Sequence, residues 1–256
     1  MMMSETSGLA LSIGMAAAAG LVGCFAVMRR MSLASDALSH VALPGIGLAI
    51  VLRIHPAVGA TAMLALGALL IWGLERKTRI STETIIGVVF SAALAIGSML
   101  ATGEELMDAL LGTPAEMRLW EGALGLVGSA AIITFLLTQR ERLVVSLVSA
   151  DIARTSGIAV DRLELTFLLS FALTVALGLR YLGVLLMGSL VIIPAATAKY
   201  LAKSLTGMFT ISVSVAVLST ILGEWMASRL HRPTGPIIIS IAAGFFFVSL
   251  LARRQR

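Results

Sequence analysis

Seven stretches of this chain contain no Asp, Glu, Lys or Arg: 6–28, 54–74, 84–103, 122–139, 181–198, 204–223 and 233–252. An α-helix rises 1.5 Å per residue, so ~20 residues carry it across a hydrocarbon core of ~30 Å, and each stretch has about that length. Two further stretches, 33–52 and 163–179, qualify once a few polar residues are tolerated. The pattern predicts an all-α, polytopic membrane helix bundle of about nine spans, with eight as the alternative count. Residues 1–256 then form a single transmembrane domain. Composition agrees: 58% of residues are apolar and 13% charged, against ~45–50% and ~25% in soluble domains. Too little chain lies between the spans for a nucleotide-binding domain or an extramembrane catalytic module.

The charges that remain are distributed unevenly. With alternating spans, 14 of the 19 lysines and arginines fall on one set of connections, including Arg29, Arg30, Arg76, Arg140, Arg142, Arg154 and Arg162. Arg53, Arg118, Arg180, Arg229 and Arg232 fall on the other. Basic residues concentrate on cytoplasmic loops, which predicts an N-terminus outside and a C-terminus in the cytoplasm. The net charge of +5 is thereby explained by topology, with no nucleic-acid partner. The first apolar run follows Glu5, has no basic segment before it and ends in Arg29-Arg30, so it reads as a span and not as a secretory signal. The one cysteine, Cys24, lies inside that run, which excludes a disulfide framework and a thiolate metal cluster. Gly, Ala and Ser recur within the spans, as in Gly14 to Gly20, and small residues let helices approach closely in lipid.

An ionisable side chain inside a span is costly and marks function by default. The second span carries two, Asp36 and His40. Four residues apart, they share one helix face, and a carboxylate with an imidazole suits zinc, manganese or iron. Pro44 cannot donate to the carbonyl of His40 and crowds it, so a helix break is expected there, loosened further by Gly45 and Gly47. The alternative is an Asp-His pair that satisfies itself between helices. Pro194 is expected to bend the seventh span in the same way. Glu224 is a second intramembrane carboxylate, either lining a path or paired near the outer boundary. His55 and His231 fall at the outer rim beside Pro56 and Pro233, where interfacial placement explains them as well as metal capture does. The inner connection, about 143–162, is polar; Ser149 can cap a short helix that Gly157 ends, giving either a surface for a partner to push on or a solvated loop. No His-Glu-x-x-His and no Gly-x-x-x-x-Gly-Lys-[Ser/Thr] occurs, so the chain is expected not to be an enzyme, and energy for active transport must come from another subunit.

The run Arg29-Arg30-Met31, Asp36-Ala37-Leu38-Ser39-His40 and Leu43-Pro44-Gly45 resembles the second-helix signature of the membrane permease subunits of bacterial zinc, manganese and iron ABC importers. The likeness continues in order through Ile86 to Ser91, Leu110-Leu111-Gly112, Asp151-Ile152-Ala153-Arg154 with Gly157, Gly183 to Leu186, Pro194 to Ala198 and Pro233-Thr234-Gly235-Pro236, covering about residues 8–252. The resemblance implies a homodimeric permease in the bacterial cytoplasmic (inner) membrane. Two copies of a cytosolic ATP-binding subunit would drive it, and an extracytoplasmic metal-binding protein would feed it. It implies that Asp36 and His40 coordinate the transported ion, zinc first and manganese or iron next, and that Asp151, Ala153, Arg154 and Gly157 couple to the ATPase. No cofactor is expected to be permanently bound, ATP being used by the partner. A permease for an organic ligand such as a cobalamin or metal chelate, and an intramembrane enzyme, are the rival readings.

Overall fold

The computed structural model describes residues 5–31, 34–78, 80–100 and 119–253. They form ten helices: α1 Glu5–Met28, α2 Ala34–Val51, α3 Pro56–Lys77, α4 Thr82–Leu100, α5 Leu119–Thr138, α6 Arg140–Val148, α7 Ala150–Thr155, α8 Val160–Leu201, α9 Leu205–Leu230 and α10 Thr234–Arg253. The described residues contain no strand. The outer-connection segment Leu110 to Gly112 lies outside the described residues, as do the side chains of Gly183 to Leu185.

Eight helices among the described residues are long and apolar enough to cross a bilayer. The seventh expected span, 181–198, takes a different form: it is the second arm of α8, a shorter apolar helix over Leu186–Leu201. Drawn straight, the 42 residues of α8 would extend ~63 Å, twice a bilayer core. Instead the helix doubles back. The Phe25 ring meets Phe167 at 6.1 Å and Phe209 at 5.2 Å, so the chain returns to its starting level between those two residues. The space where Gly178 would carry a Cβ is filled by the Met187 side chain, which a straight helix would hold ~13 Å further along.

Burial ranks the spans. In α1 72% and in α2 67% of the spanning window is inside the protein, against 22% in each of α4 and α10. The first pair forms the centre and the second the lipid-facing rim. Close approach at the centre depends on missing side chains. Where α2 crosses α3, a Cβ on Gly45 would overlap the carbonyl of Gly59, and one on Gly59 the carbonyl of Gly45. Where α1 meets α9, Ser212 Oγ donates to the Gly20 carbonyl at 2.8 Å, a polar clasp of the kind that holds helices together in lipid.

One end of the bundle gathers the charges. Arg29, just past α1, meets Glu164 of α8 at 3.5 Å and lies over the Phe167 ring at 4.9 Å. Burial pushes the Arg29 guanidinium below its usual range, and Glu164 and Glu75 act against that shift. Asp161, at the start of α8, holds Arg76 of α3 at 2.9 Å and Arg154 of α7 at 3.7 Å, and its carbonyl accepts from Trp72 Nε1 at 3.1 Å. The C-terminal ends of α1 and α3, the α6–α7 segment and the start of α8 therefore share this end.

The polar connection is folded as its sequence predicts. Ser149 caps α7, accepting from the Ile152 N–H at 3.3 Å, and Gly157 closes it with φ +77°, a left-handed conformation that favours glycine. Helix α6, just before it, was not foreseen; its pattern is short, with Leu143 and Ser146 the buried positions.

Candidate functional site

The site is built on the first turns of α2. Helix α1 ends where Arg30 turns left-handed, φ 59°, and the Met31 N–H returns to the Ala26 carbonyl at 2.9 Å. That tight exit starts α2 at once, with Asp36 in its first turn, where the positive end of the helix dipole favours a carboxylate. Ser35 is buried and donates to the Gly188 carbonyl at 3.1 Å, while Ser39 donates to the Ser35 carbonyl at 2.7 Å. The first bond fixes α2 against the second arm of α8; the second stays within α2. Gly188 makes the contact possible, since a Cβ there would sit 3.1 Å from both Cα and Oδ1 of Asp36.

Around Asp36, the residues Ala34, Ser35, Ala37, Leu38 and Ser39 are all buried, yet Asp36 is exposed on the chain and His40 half-buried. The His40 ring meets the Phe90 ring of α4 edge-on, centroids 5.5 Å apart. Its Nδ1 is buried and has no hydrogen-bond partner, an unusual condition for a buried polar atom. The two side chains make no hydrogen bond to each other or to any described neighbour, so the self-satisfied pair is not what forms. A carboxylate and an imidazole with free lone pairs, one turn apart, can bind a divalent cation. Among the described residues no group of three or more potential metal ligands occurs.

The expected break in α2 is not present. The helix runs without interruption through Pro44 and Gly45 to Val51, although the His40 carbonyl loses the amide that proline lacks. The neighbours make this tolerable: Gly97 of α4 leaves room for the Pro44 ring, and Gly45 serves the α2–α3 crossing rather than loosening a turn. Helix α8 carries the buried Pro194 within it and continues to Leu201.

The other polar residues lie apart from Asp36 and His40. Glu224 faces Ser12 of α1; since Gly20 of α1 already meets Ser212, Glu224 lies ~18 Å further toward the opposite end. His55 caps α3, its Nδ1 accepting from the Ala57 N–H at 3.2 Å, and His231 caps the C-terminus of α9 with φ 50°. Both rim histidines thus have a backbone role.

On the α7 segment, Ala153 is fully buried, while Asp151 is 93% exposed at its side chain and Arg154 bridges it at 3.4 Å to Asp161. Val148 is 80% and Ile152 58% exposed, although both lie outside the spanning segments. They are two exposed apolar side chains on an otherwise polar connection. Sequence reasoning passed over them; the available signal was two aliphatics on the polar face of a short helical connection. Glu164 was also missed, having been read only as a tolerated polar residue inside a span.

The sequence profile of the ABC 3 transport family matches residues 3–253. The manganese import system permease protein ScaB of Streptococcus parasanguinis is 31% identical, over 98% of this chain and 91% of its own. The high-affinity zinc uptake system membrane protein ZnuB of Haemophilus influenzae is 29% identical, over 92% of both. Among solved structures, PsaBC from Streptococcus pneumoniae in complex with Fab superposes with a TM-score of 0.81 at 27% identity, over 95% of this chain and 90% of that one.

Proposed function

The chain belongs to the ABC 3 transport family, and from that premise we propose that Asp36 and His40 are the intramembrane ion site of a divalent-metal importer. It is a multi-pass permease subunit of the bacterial cytoplasmic membrane and not an enzyme. The relatives carry manganese, zinc and iron systems in their names. For this chain zinc is the first candidate cargo, with manganese or iron next; imidazole plus carboxylate suits all three.

The observation that carries the reading is the exposure of Asp36 beside a half-buried His40, neither of them bonded among the described residues, on α2, one of the two most central spans. Two ligands per chain are too few to hold an ion. A two-fold homodimer that faces two copies of α2 would bring four, the number a tetrahedral zinc site uses. Such a site binds transiently, tightly enough to strip some hydration and loosely enough to release.

The end that gathers Arg29, Arg76 and Arg154 is the cytoplasmic one, which puts the N-terminus outside and the C-terminus inside. Two copies of an ATP-binding subunit would dock on α7, with Ile152 and Val148 as apolar knobs and Asp151, Arg154 and Gly157 around them. An extracytoplasmic metal-binding protein would deliver the ion at the opposite end. ATP binding would then switch the spans between outward- and inward-open states, since packed interfaces shift between discrete arrangements.

The test is whole-cell zinc, manganese and iron content, by elemental mass spectrometry, in metal-starved cells that lack the gene and carry it restored as wild type, Asp36→Asn or His40→Ala. The wild type restores one metal and both variants leave it at the deletion level, with membrane insertion unchanged. Uptake near normal in both variants would remove these residues from the ion path.

A further inference from the structure

At the charged end of the bundle, most arginines have a carboxylate partner: Arg29 at 3.5 Å, Arg76 at 2.9 Å, Arg140 at 3.7 Å and Arg154 at 3.4 Å. Arg142 and Arg162 have none among the described residues. Both line one cavity of about 380 Å³, together with Gln139, Ser156 and Thr166, and no Asp or Glu contributes to its wall. Arg142 Nη1 donates to Gln139 Oε1 at 3.2 Å, which orders the guanidinium without neutralising it. Two like charges in one cavity repel, and an anion between them converts that repulsion into attraction.

The cavity lies at a definite depth. Phe135 belongs to the last turn of the α5 span, which ends at Thr138, and Leu163 and Thr166 belong to the first two turns of the α8 span, which begins at Val160. It therefore opens where hydrocarbon gives way to water. Ala159, also in the wall, is the N-cap of α8, and the carboxylate in that first turn, Asp161, is held by Arg76 and Arg154 and takes no part in the wall. Phe135, Ile158 and Leu163 supply an apolar side that suits a glycerol backbone and the first methylenes of an acyl chain.

We propose that this cavity binds the phosphodiester headgroup of an anionic phospholipid such as phosphatidylglycerol. Basic pockets between spans hold acidic headgroups in this way, and the bilayer supplies the phosphodiester at high local concentration. Free phosphate shares the charge but leaves the apolar wall unused. The bound headgroup would brace the joint at Gly157 between α7 and α8.

The test reconstitutes the full chain in nanodiscs holding equal phosphatidylglycerol and phosphatidylcholine, then counts retained lipid by native mass spectrometry. The wild type is expected to retain phosphatidylglycerol preferentially. Each single variant, Arg142→Gln or Arg162→Gln, lowers the preference about fivefold, as ~1 kcal/mol per basic residue near an anionic surface implies. The double variant abolishes it, and Arg142→Lys with Arg162→Lys, which keeps the charge and guards against a misfolded double variant, retains most of it. Equal retention in wild type and both single variants overturns the proposal. So does loss of the wild-type preference in excess inorganic phosphate, which would assign the cavity to a free anion. A third overturning result is an unchanged lipid preference in the double variant combined with failure to hold the ATP-binding subunit, which would make this a protein-docking face.

Discussion

The start of α2 and the charged end of the bundle both place ionisable side chains against apolar helices, and they treat them oppositely. Arg29 and Glu164 hold each other, and Asp161 gathers Arg76 and Arg154 while its carbonyl takes the Trp72 indole. Asp36 and His40 have no described partner, and the His40 Nδ1 is buried without one. Membrane depth makes an unpaired ionisable group costly, and a pair offsets that cost. The contrast separates charges that hold the fold from charges kept available for an ion, and each prediction below presses on one side of it.

The largest expected effect is on function alone. Asp36→Asn and His40→Ala abolish metal uptake, yet Asp36→Asn should lower thermal stability by no more than ~0.5 kcal/mol, because its side chain makes no hydrogen bond among the described residues, and His40→Ala by only the ~1 kcal/mol of its edge contact with Phe90. Thermal unfolding of the detergent-solubilised variants checks this. A large loss of stability in either one would move the pair to the structural side of the comparison.

Next is the α2–α3 crossing that holds the site. Gly59→Val puts a branched side chain where even a Cβ would overlap the Gly45 carbonyl. Overpacking of this kind costs about 1–3 kcal/mol or more and displaces α2, so uptake and thermal stability fall together. An unperturbed melting temperature would mean the two helices can separate freely.

Glu164→Gln tests the paired side. It leaves Arg29, whose side chain is 10% exposed, without its carboxylate, and an unpartnered buried charge costs about 1–3 kcal/mol. The melting temperature should fall while the metal preference of residual uptake stays unchanged. Asp161→Asn, by contrast, breaks pairs that are about half exposed, worth ~0–1 kcal/mol.

Much of this architecture was legible because the bilayer imposes its length on the chain. Uncharged stretches located the spans to within a few residues, and Ser149 with Gly157 announced the short helix between them through cap chemistry alone. The second arm of α8 was legible as an apolar run turning back near Arg180, but not as an arm shorter than a full span, Leu186–Leu201, since an uncharged stretch does not show where its helix begins. Pro44 misled for a related reason. Proline removes one hydrogen bond, but whether the helix breaks depends on the room its neighbours leave, and Gly97, fifty-three residues away in sequence, supplies it. Asp36 and His40 were visible as costly residues. That both are unbonded, that Phe90 flanks His40 and that Gly188 lets Asp36 reach α8 are properties of contacts between distant segments, which no local pattern encodes.

The smallest effect is expected at the α7 cap, where it is also the most discriminating. Ser149→Ala removes the acceptor for the Ile152 N–H, a loss of about 1 kcal/mol or less, spread over a helix of six residues outside the spans. Global unfolding should scarcely register it, because the spans do not depend on α7. Local opening should: hydrogen exchange over 150–157 is expected to quicken about fivefold, the factor that 1 kcal/mol corresponds to, while exchange in α2 stays as it was. If α7 presents Ile152 and Val148 to an ATP-binding subunit, the same variant lowers affinity for that subunit by a similar factor, since a frayed helix must be reordered on docking. Faster exchange with unchanged subunit affinity would leave α7 as a folded connection and place the docking surface elsewhere on the charged end.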